Sequence, residues 1–267
     1  MNATQATTTS TALIPDLKGK CILITGGSTG IGAAAARAFG ENGAKVALNF
    51  NANAEEAGKV AADIEKAGGK AVLVRGDVTR PEVAEQAVAE TVKAFGRLDV
   101  LINNAGALIK RTPVADYTDE FVDAVLELNV KQVVRFMREG AVQMRKQGGG
   151  GSIVNVSSIA ARHGGGPGSV IYAAAKGFVG TATRGWAKEL VRDRIRVNAV
   201  SPGVIMTPFH ERYSTAEQLA AMQATIPMDR IGTPDECVGA FLYLASDAMS
   251  GYVTGQILEV NGGQYMP

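Results

Sequence analysis

The chain has 267 residues, 46% of them hydrophobic, and a formal net charge of +1 at pH 7. That balance can fill one large α/β core and leaves no electrostatic footprint for nucleic acid or an anionic membrane surface. Two widely separated cysteines (Cys21, Cys237), two histidines and no run of eighteen apolar residues predict a reducing, cytoplasmic setting, no zinc site and no membrane span.

In chain order, the Thr-rich start lacks a basic segment followed by an apolar one. Residues 1–16 are therefore expected to form a disordered tail, and 17–267 a single domain. Cys21-Ile22-Leu23-Ile24 reads as a strand, followed by the turn Thr25-Gly26-Gly27-Ser28-Thr29-Gly30-Ile31-Gly32 and an alanine-rich helix. Glycines at 26, 30 and 32 allow positive φ and close backbone approach, and the free N–H groups opening the helix attract a pyrophosphate. Further apolar runs at 46–50, 71–74, 100–102, 153–156, 195–200 and 257–260 alternate with helix-length periodic segments. The alternation predicts a doubly wound, Rossmann-type parallel sheet of about seven strands with helices on both faces. Gly43 and Gly68 mark helix ends, and capping boxes are expected at Ser214–Glu217 and Thr233–Glu236.

Tyr172 and Lys176 stand one turn apart on a predicted helix face, separated by three alanines. A fixed ammonium beside a phenol stabilises the phenolate, so the pair is expected to bring the tyrosine pKa toward neutrality and make it a general acid.

Taken together these segments resemble the short-chain dehydrogenase/reductase family over residues 17–263. The layout is similar to the 3-oxoacyl-carrier-protein reductases and to sugar and polyol dehydrogenases. Thr25-Gly26-x-x-x-Gly30-x-Gly32 resembles the family's cofactor turn, with Ser28, Thr29 and Ile31 inside it. Asn103-Asn104-Ala105-Gly106 resembles its post-strand motif, and Pro202-Gly203-Val204 with Thr207 the loop receiving the nicotinamide end. Asn129, Ser158, Tyr172 and Lys176 resemble its catalytic set.

The resemblance implies hydride transfer between nicotinamide and a carbonyl or secondary alcohol. Tyr172 would protonate the alkoxide, Ser158 hold the same oxygen, Lys176 contact the nicotinamide ribose, and Asn129 hold a water linking the lysine to solvent. Asp77 and Val78 would form the adenine pocket, and Asn104 either touches the cofactor or satisfies backbone groups behind it. Phe50 and Asn51 end the second strand without the carboxylate that marks NAD sites, so NADP(H) is favoured and NAD(H) is the alternative.

Substrate contacts are expected in 107–116, the glycine-rich loop before Tyr172 and 206–228, with His163 and His210 unassigned. Three readings follow: a reductase of a 3-oxoacyl thioester or similar ketone, a sugar or polyol dehydrogenase, and a catalytically silent nucleotide-binding protein. Against docking of an acyl carrier protein, Gly149 and Asp193 stand where relatives carry arginines, with Arg145, Lys146, Arg192 and Arg194 nearby. A homotetramer is expected. Its helices, around 121–147 and 171–192, would pair with symmetry mates, aided by small residues at Ala173, Gly177, Gly180, Thr181 and Ala182 and by the closing strand at 254–260.

Overall fold

The computed structural model describes residues 13–267. Seven parallel strands form one sheet: β1 (Cys21–Ile24), β2 (Lys45–Phe50), β3 (Lys70–Arg75), β4 (Val100–Asn103), β5 (Gly151–Val156), β6 (Ile195–Pro202) and β7 (Ile257–Val260). Their order, β3-β2-β1-β4-β5-β6-β7, reverses direction between β1 and β4, which opens a crevice at the carboxyl ends of those two strands.

The first helices are α1 (Gly30–Glu41), α2 (Ala54–Lys66) and α3 (Val83–Phe95). Then come α4 (Asp119–Leu126), α5 (Gln132–Gln147), α6 (Ala160–His163) and α7 (Val170–Leu190). The last four are α8 (Pro208–Tyr213), α9 (Ala216–Gln223), α10 (Pro234–Ala245) and α11 (Asp247–Ser250). None of the described helices is long and apolar enough to cross a membrane.

Strand alternation divides the core between the two faces. Ile22, Ile24, Val46, Leu48, Ile102 and Val154 pack with α1, α2 and α10. Their neighbours Leu23, Ala47, Leu101, Ile153 and Val197 pack with α3, α5 and α7. Both sides of the central strands are dry, hence the continuous apolar runs in the sequence.

Three details depart from expectation. The reading of 1–16 as a tail lies outside the described residues for 1–12, but its last residues are fastened. Ile14 is buried, Pro15–Leu17 forms a 3-10 turn, and Asp16 accepts from the Ser246 hydroxyl at 2.7 Å and the Ala248 N–H at 3.1 Å. The box expected at Ser214–Glu217 sits one residue later: Thr215 Oγ1 accepts from Gln218 N–H, and Gln218 Oε1 from Thr215 N–H. Finally, α4 and α5 are joined by a π turn, Glu127–Lys131, in which the Gln132 N–H reaches back to the Glu127 carbonyl. The box at Thr233 is present, with Glu236 accepting from the Thr233 N–H at 2.9 Å.

Candidate active site

The loops leaving β1, β2, β3, β4, β5 and β6 all open onto one cavity of about 980 Å³ at the carboxyl end of the sheet. At one end is the glycine turn. Gly26 and Gly30 have φ of +65° and +55°, and a Cβ on Gly32 would lie 2.3 Å from the Gly26 carbonyl. Only a residue without a side chain lets α1 start this close to the turn. Thr29, the N-cap of α1, makes no side-chain cap bond, so the first N–H groups of α1 are left for an anion. Ser28, Thr29, Gly30 and Ile31 line the cavity. These free donors suit a dinucleotide pyrophosphate.

Asn104 latches this turn from behind. Its side-chain nitrogen donates to the Thr25 and Gly26 carbonyls at 2.9 and 3.0 Å, while Thr25 Oγ1 accepts from the N–H groups of Asn104 and Ala105. Of the two roles left open for Asn104, the backbone one is present. Phe50, Asn51, Gly76, Asp77 and Val78 form the far wall beyond β2 and β3. Burial opposes the charge on Asp77, but hydrogen bonds from the Thr79 N–H and hydroxyl, with Arg80 and Asn51 adding, hold its carboxyl below the ordinary value.

At the centre stand Ser158, Tyr172 and Lys176, delivered by the end of β5 and the first turns of α7. Lys176 is buried, donates from Nζ to the Val156 carbonyl at 2.9 Å, and lies 5.7 Å from the centroid of the Tyr172 ring. Burial pulls its pKa down to about 8. Tyr172 keeps some surface on the cavity but is otherwise walled in, and this desolvation pushes the phenol up to about 12 against the opposing contact with Ser158. The expectation that Lys176 lowers the tyrosine pKa is therefore not met: the ammonium faces the ring and a carbonyl, and desolvation dominates.

Ser158 Oγ accepts from the Ala160 N–H, whereas Ser157 turns away and donates to the Lys176 carbonyl, tying β5 to α7. Asn129 lies in the π turn, fully buried. Its amide donates to the Ala107 and Val125 carbonyls and its oxygen accepts from the Ala107 N–H. Gly106 passes between this side chain and the lysine: a Cβ there would stand 2.8 Å from Asn129 Oδ1 and 3.0 Å from Lys176 Nζ.

Pro202, Gly203, Val204 and Thr207 line the cavity after β6. Thr207 closes on the glycine turn, its Cγ2 lying 3.3 Å from where a Gly30 Cβ would be. Phe209 packs on Tyr172 at 5.7 Å between centroids. Both histidines line the same end, His163 from α6 and His210 from α8. Among the described residues no group of three or more His, Cys, Asp or Glu side chains is placed to hold a metal ion.

Sequence reasoning missed Gln132 and Gln264. Gln132 is buried in α5 and donates to the Ala105 carbonyl at 2.9 Å; Gln264 reaches the cavity from the C-terminal segment. Gln132 follows Asn129 by three residues, a spacing that could have marked it as a partner of the same loop.

Comparison with known proteins agrees with this geometry. The family model described as Enoyl-(Acyl carrier protein) reductase covers residues 26–264. The L-rhamnose 1-dehydrogenase (NAD(P)(+)) of Sphingomonas sp. is 39% identical, over 94% of this chain and 98% of its own. A 3-oxoacyl-[acyl-carrier-protein] reductase of Thermotoga maritima is also 39% identical, over 92% and 98%. The crystal structure of an NADH-dependent reductase complexed with NAD superposes with a TM-score of 0.84 at 38% identity, covering 95% of this chain and 99% of the other. A donor-rich turn at the sheet's switch point, a serine, tyrosine and lysine on its edge, and relatives spanning nearly the whole chain have one meaning: this protein belongs to the short-chain dehydrogenase/reductase family and is an NAD(P)-dependent oxidoreductase.

Proposed function

We propose that the protein reduces the ketone of a 3-oxoacyl thioester or a similar small carbonyl compound, with NADPH preferred over NADH. The observation carrying this reading is the convergence of Ser158, Tyr172 and Lys176 on the cavity whose other end is the glycine turn. The dinucleotide, when bound, supplies or accepts the hydride; the side chains manage orientation and protons. Tyr172, neutral at pH 7, holds the proton that the developing alkoxide takes. Ser158 accepts from the Ala160 N–H and so leaves its own O–H free to donate to the same oxygen. Lys176, charged below about pH 8, would hold ribose hydroxyls of the bound cofactor. Asn129 has its amide engaged with backbone, so its part is to fix the 105–107 loop beside Lys176.

The cofactor preference rests on Phe50, Asn51, Ala52 and Asn53, which place no carboxylate against a 2′-phosphate, and on exposed Arg75, in register beside Phe50. A sugar or polyol dehydrogenase is the second reading, favoured by the relative named for L-rhamnose and by Arg145. That arginine, a candidate for docking an acidic carrier protein, is already paired with Asp193 at 2.7 Å. A catalytically silent protein has no use for the intact proton-handling set.

A homotetramer in the cytoplasm remains the expected state. Ala173 is buried beside the Gly165 loop and Gly180 packs against Ile257 of β7, but Ala174, Phe178 and Thr181 are exposed on α7, with open space beside Gly177. Val134 and Val142 on α5 and Leu258 on β7 are exposed as well. A panel of ketones, thioesters, sugars and polyols assayed with both cofactors tests the function. Oxidation of sugars without reduction of any ketone would replace the first reading by the second.

A further inference from the structure

Arg111 is the convergence point of the substrate end. It is half-buried on the cavity wall and donates from Nε to the Tyr213 carbonyl at 3.0 Å and from Nη1 to the Pro167 carbonyl at 3.1 Å. The adjacent Thr112 N–H donates to the Gly168 carbonyl at 2.9 Å. One guanidinium thus holds together its own segment, the glycine-rich loop before α7 and the end of α8.

Only two of its five N–H groups are used in these bonds, and among the described residues no carboxylate lies within ion-pair distance of it. Its surroundings repeat the pattern. Arg212 and both histidines line the same end, and among the described residues the only carboxylate on the cavity wall is Asp77, beyond β2 at the opposite end. His163 Nδ1 accepts from the Gly165 N–H at 3.2 Å, which leaves Nε2 as its free ring nitrogen. A partly desolvated guanidinium without a counter-ion is costly unless its partner arrives with the ligand.

We propose that the physiological substrate is a small oxo acid, or the corresponding hydroxy acid in the reverse direction, whose carboxylate is received by Arg111. The inference rests on the hydride-transfer reading above and, within it, selects a small free acid in place of the 3-oxoacyl thioester. A guanidinium suits this task because its planar fork matches a carboxylate with two parallel hydrogen bonds. The anion belongs to a small molecule rather than to the phosphate of a carrier arm because Arg111 lines the same cavity as Ser158 and Tyr172. Phe209 packs both on Tyr172 and, at 5.1 Å, on Tyr213, whose carbonyl Arg111 holds.

Oxo acids, their methyl esters and an uncharged N-acetylcysteamine thioester would be compared in steady-state kinetics with wild type, Arg111→Gln and Arg111→Lys. Wild type is expected to prefer the free acid over its ester by about tenfold or more in kcat/KM, the usual effect of a charge-assisted hydrogen bond. Arg111→Gln should reduce that ratio about tenfold through KM, and Arg111→Lys should recover part of it. Because the readout is a ratio, general loosening of the three loops cancels. Ester or thioester turned over as well as acid by wild type, or an unchanged ratio in Arg111→Gln, would overturn the proposal and leave hydride transfer standing. No turnover of any carbonyl or alcohol would overturn both.

Discussion

The Lys176 ammonium lies over the face of the Tyr172 ring, 5.7 Å from its centroid, and spends a hydrogen bond on the Val156 carbonyl. The two groups are consequently displaced in opposite directions: burial pushes the phenol up to about 12 and pulls the ammonium down to about 8. At neutral pH the site holds a firmly protonated acid beside a cation that is ready to give up its charge.

Tyr172→Phe should lower kcat by about a hundredfold or more, the usual scale of a general acid, while cofactor affinity stays within a few-fold. Stopped-flow turnover and fluorescence titration separate the two. Retention of more than a tenth of wild-type kcat would remove Tyr172 from the proton-donating role.

Lys176 also makes a statement about stability. In the unfolded chain a lysine releases its proton near 10.5, in this fold at about 8. Between those values the unfolded state binds more protons, so the lysine's contribution to stability rises with pH through that window. Below it the charged, buried form costs the fold on the order of 3 kcal/mol. Lys176→Met should therefore be inactive yet more stable than wild type at pH 7, by about 2 kcal/mol after loss of the Val156 bond. The advantage should vanish by pH 10.5. Urea unfolding of both proteins at several pH values measures the difference, and a pH-independent difference contradicts the shift.

Phe50→Asp places a carboxylate at the end of β2 and should move the preference from NADPH toward NADH by about tenfold or more. Titration of both cofactors with both proteins is the measurement. A wild type that already prefers NADH would show that absence of a carboxylate at Phe50 and Asn51 does not select the phosphate.

Light scattering at micromolar concentration should give the mass of four chains. Phe178→Glu, placing a charge on the exposed stripe of α7, should lower that mass without unfolding the chain. A monomeric, fully active wild type would rule out the tetramer.

The fold was legible because its signals are local. Continuous apolar runs separated by helical periodicity mark strands buried on both faces, and every expected strand lies within one or two residues of its place. Gly26, Gly30 and Gly32 were readable for the same reason, since each answers to a steric demand inside one turn. The π turn had no comparable signal: Glu127-Leu128-Asn129-Val130-Lys131 is ordinary helical sequence, and the extra residue in the turn is tolerated because Asn129 gains three bonds to Ala107 and Val125. The tyrosine pKa failed differently. Spacing placed Lys176 beside Tyr172 correctly but contained nothing about the Val156 carbonyl or the walls that desolvate the phenol. Arg111 was visible only as one residue of the expected substrate segment 107–116, because its meaning comes from carbonyls at Pro167 and Tyr213, far along the chain.

The Asp16 carboxylate, which fastens the start of the described chain to Ser246 and Ala248, also sets an order of events during synthesis. Its partners leave the ribosome some 230 residues later, a delay on the order of 10–50 s at typical elongation rates. Until then Ile14 and Leu17 have no α10 to pack near and the sheet lacks β7. The nascent chain can assemble β1 to β5 with their helices and hold Ile14 on Asn42, but the Asp16 clasp closes only after Ser246 and Ala248 have emerged.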